Sequence, residues 1–167
     1  MTSSKAARAL FLRNVIFGVE DSLVSTVGLL SGITLGATPR SIVLLTGLVY
    51  VFVEGFSMAV GSFLSEEGAQ EYAGNKKSAL GSSIFGAFVM LVSFVIAGFI
   101  PLIPYILLAD QSAIWVSVAA SILALFLLGV AGGKLAGTGM ISRGLRMALL
   151  GGFAIAIGVL VSHFFRV

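Results

Sequence analysis

From Leu80 to Ile100, and again from Ser112 to Gly132, the chain runs without a single charged side chain. A helix crossing the ~30 Å hydrocarbon layer needs roughly 20 residues at about 1.5 Å each. Each run is therefore long enough to span a bilayer. Three further apolar stretches, broken by only a few charges, precede and follow them. With 58% hydrophobic and 10% charged residues and a mean hydropathy of +1.12, a soluble domain of 167 residues could not cover its apolar surface. The expectation is an all-α polytopic membrane protein. Its five transmembrane helices are placed at approximately 14–36, 41–72, 80–100, 112–132 and 144–164, forming one transmembrane domain over residues 1–167.

Local signals divide these helices. Residues 1–13, with Lys5, Arg8 and Arg13, read as a basic amphipathic lead-in. Gly36 to Arg40, with Pro39 inside it, reads as a tight turn. The second helix is expected to continue past the membrane through Glu66, Glu67, Glu71 and Tyr72, with the break at Gly74-Asn75-Lys76-Lys77. Pro101 and Pro104 are expected to end the third helix. Trp115 and Tyr105 read as interfacial anchors, and His163 and Arg166 sit at the end of the last helix. No cleavable signal peptide is expected, because the first apolar segment is long and carries acids.

Basic residues set the orientation. Lys5, Arg8, Arg13, Lys76, Lys77, Lys134, Arg143 and Arg146 fall on one side, and only Arg40 and Arg166 on the other. By the positive-inside rule the N-terminus is cytoplasmic and the C-terminus outside. This bias, rather than nucleic-acid binding, accounts for the formal charge of +3. The chain has no cysteine, which excludes disulfides, thiolate metal sites and cysteine nucleophiles. No phosphate-binding loop, nucleophile triad or HExxH motif is present, so an enzyme is not expected. Five spans cannot make two equal inverted halves, and a pathway would then arise by pairing two copies about a two-fold axis.

Three acids fall inside spans: Glu20 and Asp21 in the first and Glu54 in the second. Such a carboxylate costs at least ~2.5–3.5 kcal/mol in hydrocarbon, so it persists where it meets a cavity, a partner or an ion. Shallow solvation of Glu20 and Asp21, or a protonated Glu54 bonded to a neighbouring helix, are the plainer readings. Asp21, Ser25, Gly28, Gly32 and Gly36 share one helix face. The tandem GxxxG within it suggests packing against a symmetry mate. On the second helix Glu54 and Met58 lie one turn apart. Oxygen ligands suit Mg²⁺, Ca²⁺ or Mn²⁺, while a thioether tilts a site toward softer ions such as Fe²⁺; plain packing is the ordinary role of such a methionine. Glu66, Glu67 and Glu71 could gather cations at a pore mouth, or simply be a solvated helix end paired with Lys76 and Lys77.

Two segments carry a resemblance. NVIFGVEDSLVSTVGL, from Asn14 to Leu29, and SMAVGSFLS, from Ser57 to Ser65, resemble the first- and second-helix motifs of the vacuolar iron transporter family. The resemblance covers essentially the whole chain. It implies a homodimer with the ion path at the subunit interface, lined by both first helices. It also implies export of Fe²⁺ or Mn²⁺ from the cytosol, in exchange for protons, the metal being substrate and not cofactor. Asp21 matches the family's metal-binding aspartate and Met58 its second-helix methionine. Two departures stand out: Ser62 occupies the place of a family glutamate, and residues 66–79 replace a cytoplasmic metal-binding domain found in larger members. A passive cation channel and a non-transporting membrane scaffold remain as alternatives. The compact size and absence of an organellar presequence favour a prokaryotic plasma membrane over a vacuole.

Overall fold

The computed structural model describes residues 3–36, 38–74, 76–108 and 112–164. Five helices follow one another: α1 (Ser3–Leu35), α2 (Arg40–Tyr72), α3 (Lys76–Leu107), α4 (Ser112–Ala136) and α5 (Met140–Phe164). All five contain segments long and apolar enough to cross a membrane: Ala7–Leu35, Arg40–Tyr72, Leu80–Leu107, Ser112–Ala136 and Met140–Val161. The described residues contain no strand.

The distribution of side chains is that of a protein dissolved in lipid. Phe56, Phe88, Ile96, Leu149 and Phe153 are exposed, whereas Ser22, Thr26, Ser31, Ser83, Ser117 and Ser121 are fully buried. With no water outside, helices gain little by hiding leucines and associate through small residues and interhelical hydrogen bonds. Ser22 Oγ donates to Phe94 O at 2.6 Å, and Ser117 Oγ to Pro101 O at 2.8 Å. Glycines allow the closest crossings. A Cβ on Gly129 of α4 would lie 2.7 Å from Arg143 O and from Gly144 Cα of α5.

Three expectations change, and one close approach is added. The basic lead-in is the first part of α1 itself, so that helix starts at Ser3 rather than near 14. The prolines do not end α3, which runs through Pro101 and Pro104 to Leu107. Proline only removes a donor and crowds the preceding turn, and neighbouring groups in a membrane bundle re-satisfy what it frees. Arg40 Nε donates to Tyr105 O at 2.8 Å, a carbonyl of the last turn that the helix itself leaves without a partner. Because α3 continues, Tyr105 is carried inside the bundle and is 3% exposed, in a cluster with Leu30, Val43, Leu102, Ala113 and Ile114; it is not an interfacial anchor. Trp115 is exposed, as an anchor must be. Finally, Gly28 packs against its own chain: a Cβ on Gly158 of α5 would come within 3.2 Å of Gly28 Cα. That close approach is made by Gly158, whereas a Cβ on Gly28 itself would meet nothing within 4 Å of its own chain.

The break after α2 falls where expected. Gly74 takes φ +79°, a left-handed conformation open to glycine, and Gly137 does the same at φ +66° between α4 and α5. Asn75, Ala37 and Arg166 lie outside the described residues, as do the side chains of Lys5, Lys76, Lys77 and His163.

The arrangement of the helices places the site. α1 touches all four others, and α2 pairs with α3 as α4 pairs with α5. Among the described residues α2 makes no contact with α5. A groove is therefore left between them, with α1 as its floor.

Candidate functional site

A cavity of about 830 Å³ occupies that groove. α1 contributes Arg13, Asn14, Phe17 and Glu20 to its lining, and α2 contributes Ser57, Met58, Ser62 and Ser65. Met90 of α3 and Arg143 of α5 complete the polar and sulfur-bearing part of the wall. On α1, positions 13, 17 and 20 fall on one face at helical spacing, and on α2 positions 58, 62 and 65 do the same. The cavity thus holds one carboxylate, Glu20, and two thioethers, Met58 and Met90.

Asp21 and Glu54 lie outside the cavity lining. They interact electrostatically with each other across the α1–α2 cleft, and Tyr50 interacts with both. Tyr50 also meets the hydroxyl of Ser25, which in turn donates to Asp21 O at 2.5 Å. Asp21 is partly buried, as are Tyr50 and Glu54. Neither carboxylate has an ion-pair partner among the described residues, where Arg13 and Glu66 form the one ion pair. Two carboxylates at this depth repel each other unless a cation or a proton is shared between them. The arrangement can therefore accept positive charge.

The remaining acids behave differently. Glu66 accepts from Arg13 Nη2 at 3.1 Å and from Gln70 Nε2 at 2.8 Å, and Gln70 reaches on to Ser82 Oγ at 2.6 Å. These bonds tie the N-terminal half of α1 to the C-terminal ends of α2 and the beginning of α3. Glu67 and Glu71 are carried on the same extension of α2 and do not line the cavity. Among the described residues no three Asp, Glu, His or Cys side chains gather closely enough to hold a metal ion. One chain supplies at most a partial donor set of carboxylate, thioether and hydroxyl groups.

Sequence reasoning did not find Arg13, Asn14, Tyr50, Met90 or Arg143 as site residues. Asn14 is 1% exposed and accepts a hydrogen bond of 2.9 Å from Ser62 Oγ. Its signal was an amide in an apolar span, at the head of the first motif. Arg143 was visible only as a charge that sets orientation.

The sequence profile described as the VIT family matches residues 12–81 and 73–163. Vacuolar iron transporter homolog 2 of Oryza sativa subsp. japonica is 31% identical over 177 residues, covering 95% of this chain and 93% of the relative. Vacuolar iron transporter homolog 4 of Arabidopsis thaliana is 32% identical over 167 residues, covering 93% and 84%. A protein of Methanocaldococcus jannaschii is 24% identical over 163 residues, covering 87% and 84%.

Proposed function

Since this chain belongs to the VIT family, we propose that it is a homodimeric transporter exporting a divalent transition-metal cation, Fe²⁺ or Mn²⁺, from the cytosol in exchange for protons. The observation that carries this reading is the Asp21–Glu54 pair, two partly buried carboxylates on adjacent membrane-spanning helices, near enough to repel each other and with no basic partner among the described residues. An unpaired acid is costly in hydrocarbon, and two together cost more. A passing cation offsets that cost.

The cation leaves water at the N-terminal end of the groove, where Glu20 and Met58 replace part of its hydration shell. It then moves to Asp21 and Glu54, with the hydroxyls of Ser25 and Tyr50 beside them. Protons and metal compete for the same carboxylates, so loading one releases the other; that competition is exchange. The thioether of Met58 favours Fe²⁺ over harder ions of the same charge. The donor set of one chain is incomplete, and a second copy facing the groove brings the second Glu20, Asp21 and Met58 to a shared axis. Glu66 serves as a strut, held by Arg13 and Gln70, rather than as a ligand.

Proteoliposomes test the proposal. Fe²⁺ or Mn²⁺ flux should follow an imposed pH gradient and collapse in Asp21→Asn, while Met58→Ala should lower Fe²⁺ flux relative to Mn²⁺ flux. Unchanged flux in both variants removes the assignment, and flux indifferent to the gradient makes the protein a channel.

A further inference from the structure

The cavity stops short of the acidic pair. Its lining on α1 ends at Glu20 and its lining on α2 begins at Ser57, so all of it lies on the α1 N-terminal side of Asp21 and Glu54. The contacts Asn14–Ser62 and Leu30–Gly47 show α1 and α2 running in opposite directions. Ser25 follows Asp21 by four residues, and Tyr50 precedes Glu54 by four. Both therefore stand one turn, about 6 Å, beyond the pair on the side away from the cavity. There Tyr50 reaches across to the hydroxyl of Ser25.

The ring is held from beneath. Just beyond it α2 rests on α1, since a Cβ on Gly47 would lie 2.7 Å from Cδ2 of Leu30, and Leu30 is fully buried. Ser25 is fixed as well, because its own proton goes to Asp21 O. Its oxygen is left to accept, so the phenol is the donor in the contact. Past the ring the Asp21 face of α1 continues through Gly28, where an added Cβ would meet nothing within 4 Å. Tyr50 thus divides two spaces, the cavity with its acidic pair on one side and the open ground over Gly28 on the other. One neutral hydrogen bond and one rotatable side chain make the division, and both can be undone without moving a helix.

We propose that the Tyr50 side chain is a gate on the cation path: resting on Ser25 it shuts the Asp21–Glu54 site from the Gly28 side, and turning off Ser25 it lets the cation leave that way. The proposal rests on the transport reading for its cargo and on helix packing for its geometry. A cation between the two carboxylates draws them together and is held against the ring until the phenol turns, so site and exit are not open at once.

The chain has no cysteine, so single reporters can be placed in it. Gly61→Cys lies in the cavity lining and Gly28→Cys beyond the ring, and an added Cβ meets nothing within 4 Å at either position. A membrane-impermeant cationic methanethiosulfonate is applied to sealed vesicles from the α1 N-terminal side, without metal. Gly61→Cys should react fast whatever stands at position 50, and Gly28→Cys slowly while Tyr50 is present. Tyr50→Phe, which keeps the ring and loses the hydroxyl, should speed Gly28→Cys about fivefold, the population change that follows loss of one ordinary hydrogen bond. Tyr50→Ala should speed it further; if that variant does not fold, Tyr50→Phe and Ser25→Ala decide. Gly28→Cys reacting as fast as Gly61→Cys with Tyr50 intact overturns the proposal. So does a rate that none of these variants moves, or one that rises equally at both reporters, as a general loosening of the bundle would produce. Labelling as expected in a protein that moves no metal keeps the gate and removes the transport reading.

Discussion

Ser62 Oγ donates a hydrogen bond of 2.9 Å to Asn14 Oδ1, joining α2 to α1 at a point where both residues are buried. Contacts between these two helices are otherwise few, and the cavity is lined by residues 13–20 of one and 57–65 of the other. Asn14 Nδ2 has no partner among the described residues and faces Gly86, whose added Cβ would meet it at 2.9 Å. The amide therefore depends on Ser62 for the one bond it makes.

Ser62→Ala should destabilise the protein by about 1–3 kcal/mol, the cost of leaving a buried amide wholly unpaired. Adding Asn14→Leu should recover most of that loss, since removing both polar partners leaves nothing unsatisfied. Thermal unfolding in detergent checks both variants. A double variant no more stable than Ser62→Ala would show that the bond is not what holds this crossing.

Asp21→Asn should have opposite effects with and without metal. Without metal it removes one of two repelling carboxylates and should leave the protein as stable or more so, by about 1 kcal/mol at most. With Mn²⁺ or Co²⁺ present, the wild type should gain stability by linkage and the variant should not. Glu54→Gln should behave alike. Metal-dependent stabilisation surviving in both variants would separate this pair from the cation.

Met58→Ala should change selectivity more than capacity. Losing the thioether leaves oxygen donors, so transport of Fe²⁺ should fall relative to Mn²⁺ by several-fold, because a softer ion loses more with sulfur. Competition between the two ions in one proteoliposome assay reads the ratio directly. An unchanged ratio would make Met58 a packing residue.

Glu66→Gln should leave metal flux within about twofold of wild type, since the carboxylate is already engaged by Arg13 and Gln70. The Arg13 side chain is 56% exposed, so the ion pair itself is worth little, of order 0–1 kcal/mol. Loss of flux comparable to Asp21→Asn would return Glu66 to the metal path.

Glycines of equal appearance in the sequence should respond differently. Gly129→Ala places a Cβ 2.7 Å from backbone atoms of Arg143 and Gly144, which cannot swing aside, and should cost about 1–3 kcal/mol. Gly61→Ala, in the second motif, meets nothing within 4 Å and should be tolerated by the fold. Unfolding temperatures of the two variants make the comparison.

How much of this was legible in advance depended on whether the property is local. Five spans, short connections and the glycine break at Gly74 follow from hydropathy and backbone freedom, each decided within a window of a few to some twenty residues. The acids stood out for the same reason, as Glu20, Asp21 and Glu54 are costly wherever a helix crosses lipid. Helix ends were less legible. The end of α3 was misplaced because each proline removes one donor without ending a helix that is packed on its neighbours, and Ser117 and Arg40 of other helices bond carbonyls of this same segment.

Which faces meet was decided by the tertiary structure alone. Helical spacing put Asp21 and Gly28 on one face but did not say that Gly158 of α5 would bring its backbone against Gly28. Nor did it say that Glu20 would share a cavity with Met58 while Asp21 turned toward Glu54 and Tyr50. Those outcomes depend on how rigid helices of nearly uniform hydropathy rotate against one another, and lipid supplies no apolar driving force to orient them. Small residues and a few hydrogen bonds choose the rotation, and their partners lie tens of residues away in the chain. The composition therefore made this a five-helix membrane bundle, and packing made the groove between α2 and α5.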